Sequence, residues 1–224
     1  LLAHFRSLFG SASLSAAYGP GFSSDVSLGR VPWGASALLL DRQFGLLLFG
    51  PVLLVGLAGA AFLWRRDRAI GMLAIAVFGV LLGVGGSFSM WWGGASAPAR
   101  FLIGTMPILL LWCGAAFQHS EERRPWLGAF AGFGLGLLSL ACLAPRALHN
   151  RADGESGLLR LLSPVLDLDR FFPGFVKTDG WTWLAFIWGA VLVAMVLRPN
   201  LGRWTTLLPL TLATLNASTP LLDP

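Results

Sequence analysis

Arg100 closes the stretch Trp91-Trp92-Gly93-Gly94-Ala95-Ser96-Ala97-Pro98-Ala99-Arg100, a polar and aromatic island between two long apolar runs. Pro98 bars a helix just before it, and the apolar run that follows opens with unsatisfied backbone N–H groups, so a guanidinium there suits a phosphate. The same position suits an anchor whose charge reaches toward lipid headgroups, and residue type alone leaves both roles open. Trp91 and Trp92 favour the headgroup layer, where the ring is apolar and the N–H is wet; an indole at a site's rim also stacks on sugar rings. Asp41-Arg42 is the second pair. Arg42 offers another phosphate contact, and Asp41 reads first as a helix-entrance residue and second as an acid at the rim. Asp25, Asp167 and Asp169 have the chemistry of a general base for a hydroxyl group, but no spacing brings two of them together.

Other chemistries are not written in the chain. It has no glycine loop running into Lys-Ser/Thr, no His-Glu-x-x-His and no Gly-x-Ser-x-Gly. His4, His119 and His149 are far apart and share no site. Cys113 and Cys142 fall in apolar runs without metal-ligand spacing and read as small hydrophobes. No metal site is assigned, no ligand set supports a divalent metal, and no motif asks for a cofactor. Asn216-Ala217-Ser218 matches a glycosylation acceptor, a pattern short enough to arise by chance.

The elements that must position these residues are membrane helices. Of 224 residues, 55% are hydrophobic and 12% charged, and the mean hydropathy is +0.70, values outside the range of a soluble globular domain. The net charge of +5 does not indicate a nucleic-acid partner. Its arginines sit in short turns between apolar runs, not on a basic face interleaved with exposed aromatics. The chain opens on Leu1 without the charged start of a signal peptide, and it reads as part of a longer protein.

The pattern predicts an all-α, polytopic transmembrane bundle of five to six spans. Residues 1–44, rich in Ser, Gly and Pro, read as an extramembrane loop segment with at most a short surface helix over 35–40. Residues 45–224 form the membrane domain, with apolar runs at 45–64, 69–88, 101–117, 126–143 and 181–197. A shorter run at 204–215, interrupted by Pro209, reads as a sixth span cut short. Pro51 and Pro107 predict bends. Gly79 with Gly83, and Gly128 with Gly132 and Gly136, predict close-packed helix faces. The loop 145–180 holds Leu158, Leu159, Leu161, Leu162, Val165, Leu166 and Leu168 at a spacing that predicts an amphipathic helix lying on the membrane, continued by Phe171, Phe172 and Phe175.

Charge sets the orientation. Three short turns carry Arg65, Arg66, Arg68, Arg123, Arg124, Arg198 and Arg203, whereas the short loop opposite holds only Arg100. Positive charge is retained in the cytoplasm, so segments 1–44, 88–100 and 145–180 are expected together on the outer face of the cytoplasmic membrane.

Two blocks carry a resemblance. Leu40-Asp41-Arg42-Gln43-Phe44-Gly45-Leu46-Leu47 through Phe49-Gly50-Pro51, followed by the Arg65-Arg66 turn, is one. Trp91-Trp92-Gly93-Gly94-Ala95-Ser96 with Arg100-Phe101-Leu102 and Pro107 is the other. Together they resemble the C-terminal half of bacterial polytopic membrane glycosyltransferases of the GT-C type, which are similar to dolichyl-phosphate-mannose–protein mannosyltransferases. The blocks cover residues 40–66 and 90–112, roughly, and elsewhere the likeness is one of hydropathy.

The resemblance implies an enzyme that takes a sugar from a polyprenyl-phosphate carrier outside the membrane and passes it to a lipid, glycan or protein. It implies Arg100, with Arg42, at the donor phosphate, and a catalytic acid upstream of Leu1. Such relatives often show Gly-Pro-Arg where this chain has Pro98-Ala99-Arg100, so the arginine is kept while the local backbone differs. The expected partners are membrane lipids and the polyprenyl-phosphate sugar. A non-enzymatic transporter or assembly subunit is the alternative; a transporter usually carries ionisable groups inside its spans, and the five runs hold none.

Overall fold

The computed structural model describes residues 6–8, 10, 22–94, 98–119, 121, 124–148, 151, 153–163, 168–176 and 183–197. Among them every regular element is helical, and extended pairing is limited to one antiparallel bridge between Val26 and Phe88. The expected sixth span at 204–215 lies outside the described residues, as do His4, His149, Asp167, Arg123, Arg198, Arg203 and the side chain of Asp169.

The apolar run from 45 to 64 is broken near its start. A single turn, Leu46–Phe49, stops at Gly50, and α2 (Pro51–Arg66) begins with the proline in its first position. The first turn of a helix has no internal acceptors for its N–H groups, so a proline there costs no bond. The bend expected at Pro51 is therefore a helix start. At the far end Asp67 adopts an extended backbone and caps α3 (Arg68–Ser87), its Oδ1 accepting from the Ala69 N–H at 3.0 Å and the Ile70 N–H at 3.1 Å. The next run opens as 3-10 turns, Arg100–Thr105, and continues as α4 (Met106–His119) with Pro107 in the first α-turn, where it again breaks nothing.

The Arg100–His119 stretch, α3 and α5 (Arg124–Leu143) are long and apolar enough to cross a membrane, so this is a membrane protein by its helices. At about 1.5 Å per residue, each covers roughly 30 Å. α2 has 16 residues, short of a full crossing, and α7 (Trp183–Leu197) is apolar throughout its described residues. The described residues thus supply three full-length spans where hydropathy predicts five or six. At Gly50-Pro51 the first predicted run is broken, so that its continuous helix starts only at Pro51.

A larger departure is α1 (Val31–Leu40), in the segment expected to be loop. Gly34, Ala37, Leu38 and Leu40 are buried in it, and it lies across the end of α3. The crossing is so close that a Cβ on Gly34 would run into the Gly86 carbonyl, and one on Gly86 into the backbone of Ala35. Gly56 and Gly59 of α2 make the same approach to Cys113 and to the Trp112 carbonyl of α4.

Among the described residues the glycines expected to form packing seams meet no close partner. A Cβ on Gly79, Gly128, Gly132 or Gly136 meets no described atom within 4 Å, and one on Gly83 meets only Val31 Cγ1 at 3.9 Å. α5 instead touches the bundle through its large residues, with Leu127 buried and Phe130, Phe133, Leu137 and Leu140 partly so. Among the described residues α2 is central, in contact with α3, α4, α5 and α7. Leu109, Trp112 and Leu102 fill the core, with Phe78 edge-on to Trp112 at 5.1 Å. Leu73 and Val80 on α3, and Leu135 and Leu138 on α5, are exposed.

The two ends of the bundle differ in kind. At one, the basic turn after α2 meets the end of α4, where Phe62 stacks on His119 at 5.6 Å. At the other, residues 22–45, 88–94 with 98–99, and 153–163 with 168–176 converge, as Ser27 N donates to Ser87 O, Ala99 N to Phe44 O and Arg42 N to Pro173 O, all at 2.9 Å.

Candidate functional site

The polar triplet Asp41-Arg42-Gln43 sits at this converging end, immediately after α1, and its side chains hold the other segments in place. Asp41 is 1% exposed. Its Oδ1 accepts from the N–H groups of Gln43 and Phe44, both at 2.8 Å, and its Oδ2 accepts from the Phe175 N–H at 2.7 Å. Burial pushes its carboxyl up to about 6; the N–H groups of Phe175, Phe44 and Gln43 and the Arg42 cation pull the other way without overcoming it. The expected rim acid is therefore an internal clasp, with its oxygens turned to backbone rather than to a ligand.

Arg42 is half-buried between two segments. Its Nε donates to the Gly154 carbonyl at 2.9 Å, and its guanidinium lies along Gly174, where a Cβ would come within 3.0 Å of Nε. Gln43, which residue-type reasoning passed over, is fully buried. Its Nε2 donates to Asp153 Oδ1 at 2.8 Å and to the Glu155 carbonyl at 2.9 Å, while its Oε1 accepts from the Gly154 N–H at 3.2 Å. The signal that marks it is a polar amide, able both to donate and to accept, just before the apolar residues Phe44 and Leu46.

Trp91 is buried rather than at the rim, 2% exposed. Its ring is edge-on to Trp92 at 5.6 Å and to Phe44 and Phe175, each at 6.4 Å, and Trp33 adds an edge contact to Phe175 at 5.2 Å. The result is an aromatic plug beneath the converging segments. Trp92 is only partly buried, beside Trp91. Phe175 and Phe172, expected to anchor in lipid, point inward instead; Phe172 stacks on Trp188 of α7 at 5.7 Å, and the Trp188 indole donates to the Phe171 carbonyl at 2.9 Å.

Arg100 is different. It is exposed, and among the described residues no hydrogen bond or ion pair holds its guanidinium. Gly93 turns at φ +79°, and a Cβ there would strike Arg100 Nε, so the side chain lies across a surface that only glycine leaves open. Ala99 precedes it in the left-handed region, φ 54°, tied down by its N–H to Phe44. The guanidinium carbon stands 5.2 Å from the centre of the Phe101 ring, which stacks on Phe88 at 5.8 Å. Asp25 joins the same end, its Oδ1 accepting from the Ser89 hydroxyl at 3.0 Å.

Asp41, Arg42, Trp91, Trp92 and Arg100 thus share one end of the bundle, linked through Phe44 and Phe175. Among the described residues no three His, Cys, Asp or Glu side chains group as metal ligands. No family model, curated protein or solved structure matches the chain.

Proposed function

We propose that this chain is the C-terminal part of a membrane glycosyltransferase of the GT-C type, using a polyprenyl-phosphate-linked sugar at the outer face of the cytoplasmic membrane. The observation that carries this reading is Arg100. It is an exposed guanidinium at the entrance of a membrane-crossing helix, preset by Gly93 and Phe101, with no protein anion paired to it among the described residues. A phosphate on a lipid tail would reach that height beside the bundle, and guanidinium to phosphate is a charge-assisted contact. Trp92 supplies a neighbouring ring for the sugar. Arg42 and Asp41 act behind this surface by holding its backbone, so their part is positioning.

Binding tests the assignment of Arg100. In the full-length protein in detergent, a polyprenyl phosphate should bind at least about tenfold more tightly than the matching polyprenol, and Arg100→Ala should abolish that preference. Equal affinity for phosphate and alcohol overturns the assignment of Arg100.

The second reading is a non-enzymatic assembly subunit. The engagement of Asp41, Arg42 and Gln43 in the fold favours it, since these polar groups build structure. Phosphate-selective binding without sugar transfer in the full-length protein would support that reading.

A further inference from the structure

We infer that the segment from Pro173 to Val176 is a strap that presets Arg100, so that its docking and the binding of a phosphate at Arg100 reinforce each other. Two routes run from Phe175 to Arg100. The first is a relay of hydrogen bonds. The Phe175 N–H donates to Asp41 Oδ2 at 2.7 Å, Asp41 Oδ1 accepts from the Phe44 N–H at 2.8 Å, and the Phe44 carbonyl accepts from the Ala99 N–H at 2.9 Å. The second route runs through rings. Phe175 meets Trp91 edge-on at 6.4 Å, and Trp91 lies inside the turn in which the Gly93 N–H donates to the Met90 carbonyl at 2.8 Å. That turn sets Gly93 against the Arg100 guanidinium.

Both routes act on the residue before Arg100 or on its side chain. Among the described residues Ala99 is the one non-glycine with a positive φ, 54°. An L-residue keeps that conformation only where its surroundings hold it. The Phe44 carbonyl does the holding, and Asp41 fixes Phe44. With the strap undocked, the relay and the ring contact are lost together, Ala99 relaxes toward negative φ, and the guanidinium leaves the Phe101 ring. The strap is fastened along its length: Arg42 N–H donates to the Pro173 carbonyl, the Arg42 guanidinium lies along Gly174, and Phe175 is buried between Trp33 and Trp91. It is distinct from α6 (Gly157–Leu162), which Leu158 and Leu159 seat separately in a cluster with Leu48 and Leu148. Linkage makes the effect mutual, since a phosphate that favours the preset guanidinium favours the docked strap by the same factor. The phosphate half of this inference rests on the donor reading of Arg100; the strap's hold on Ala99 does not.

Hydrogen exchange and lipid binding, both on the full-length protein in detergent, test it with Phe175→Ala and Gly174→Ala. The second variant pries at the strap from the Arg42 side, its Cβ 3.0 Å from Arg42 Nε, and it decides the matter if Phe175→Ala does not fold. In each folded variant the Ala99 amide should exchange several-fold faster while those of Leu109 to Trp112 keep the wild-type rate. The preference for polyprenyl phosphate over polyprenol should fall by about fivefold or more, with the affinity for polyprenol unchanged. In wild type, polyprenyl phosphate but not polyprenol should slow exchange across 173–176. Wild-type exchange at Ala99 in the folded variants overturns the inference and leaves the donor reading standing. Faster exchange shared equally by Leu109 to Trp112 overturns it too, because the loosening is then general. Faster exchange at Ala99 with an unchanged phosphate preference overturns the coupling. Equal binding of phosphate and alcohol by wild type instead removes the donor reading, and exchange at Ala99 then decides the strap alone.

Discussion

Asp41 Oδ2 accepts the Phe175 N–H at 2.7 Å, joining residues 134 positions apart in a site that is 1% exposed. This bond fastens the 173–176 segment onto the end of α1, and through Phe175 it backs the aromatic plug under the tryptophan loop. Removing the carboxylate strands three backbone N–H groups at once. Asp41→Ala should therefore cost about 2–5 kcal/mol, read as a lower melting temperature of the purified protein and faster proteolysis between residues 168 and 176. A loss within about 0.5 kcal/mol would contradict the clasp.

The same carboxyl makes stability depend on pH in a defined direction. Its value in the fold, about 6, lies above the ordinary 3.8. The folded protein therefore binds this proton more tightly than the unfolded chain does, and the stabilisation is full below 3.8 and lost as pH rises through 6. Wild type should lose melting temperature between pH 4 and pH 7 relative to Asp41→Asn, which cannot ionise there. A difference between the two proteins that is flat or runs the other way would contradict desolvation as the dominant cause.

Gln43 contributes through both ends of its amide. Gln43→Leu fills similar space but leaves Gly154 N–H, the Asp153 carboxylate and the Glu155 carbonyl without that partner. The expected cost is about 1–3 kcal/mol, with faster hydrogen exchange confined to residues 153–156. Hydrogen exchange unchanged in that segment would remove Gln43 as its tether.

Two glycine substitutions should separate. Gly86→Val drives a side chain into the backbone of α1 and should abolish a monodisperse folded peak in detergent. Gly132→Ala, with no described atom within 4 Å of the new methyl, should leave folding unchanged or raise stability by up to about 1 kcal/mol. Equal effects would refute the helix crossings described above.

The spans at 68–87, 100–119 and 124–143 were legible because an uncharged apolar run bounded by arginines needs only length to be read. The direction in which each helix faces was not. In a membrane protein the lipid side and the protein side are both apolar, so Gly79 and Gly83 look the same in sequence as Gly85 and Gly86, though the latter pair is buried. α1 stayed hidden for a related reason: its short apolar patch becomes a buried helix only because Gly86 admits its backbone. The gathering of Arg100, Asp41, Arg42 and the tryptophans at one end followed from topology, yet their roles within it did not. What Asp41 does is decided by Phe175, and no local pattern announces a partner that far along the chain.

The most direct test of the central claim is sugar transfer by the full-length protein from a polyprenyl-phosphate donor, with wild type, Arg100→Lys and Arg100→Ala compared at equal folded yield. Removing one preorganised charge contact of this kind costs about 10²–10³ in rate. Arg100→Ala should fall by that factor and Arg100→Lys by less, since it keeps the charge and loses the fork. Turnover by Arg100→Ala equal to wild type would contradict the account.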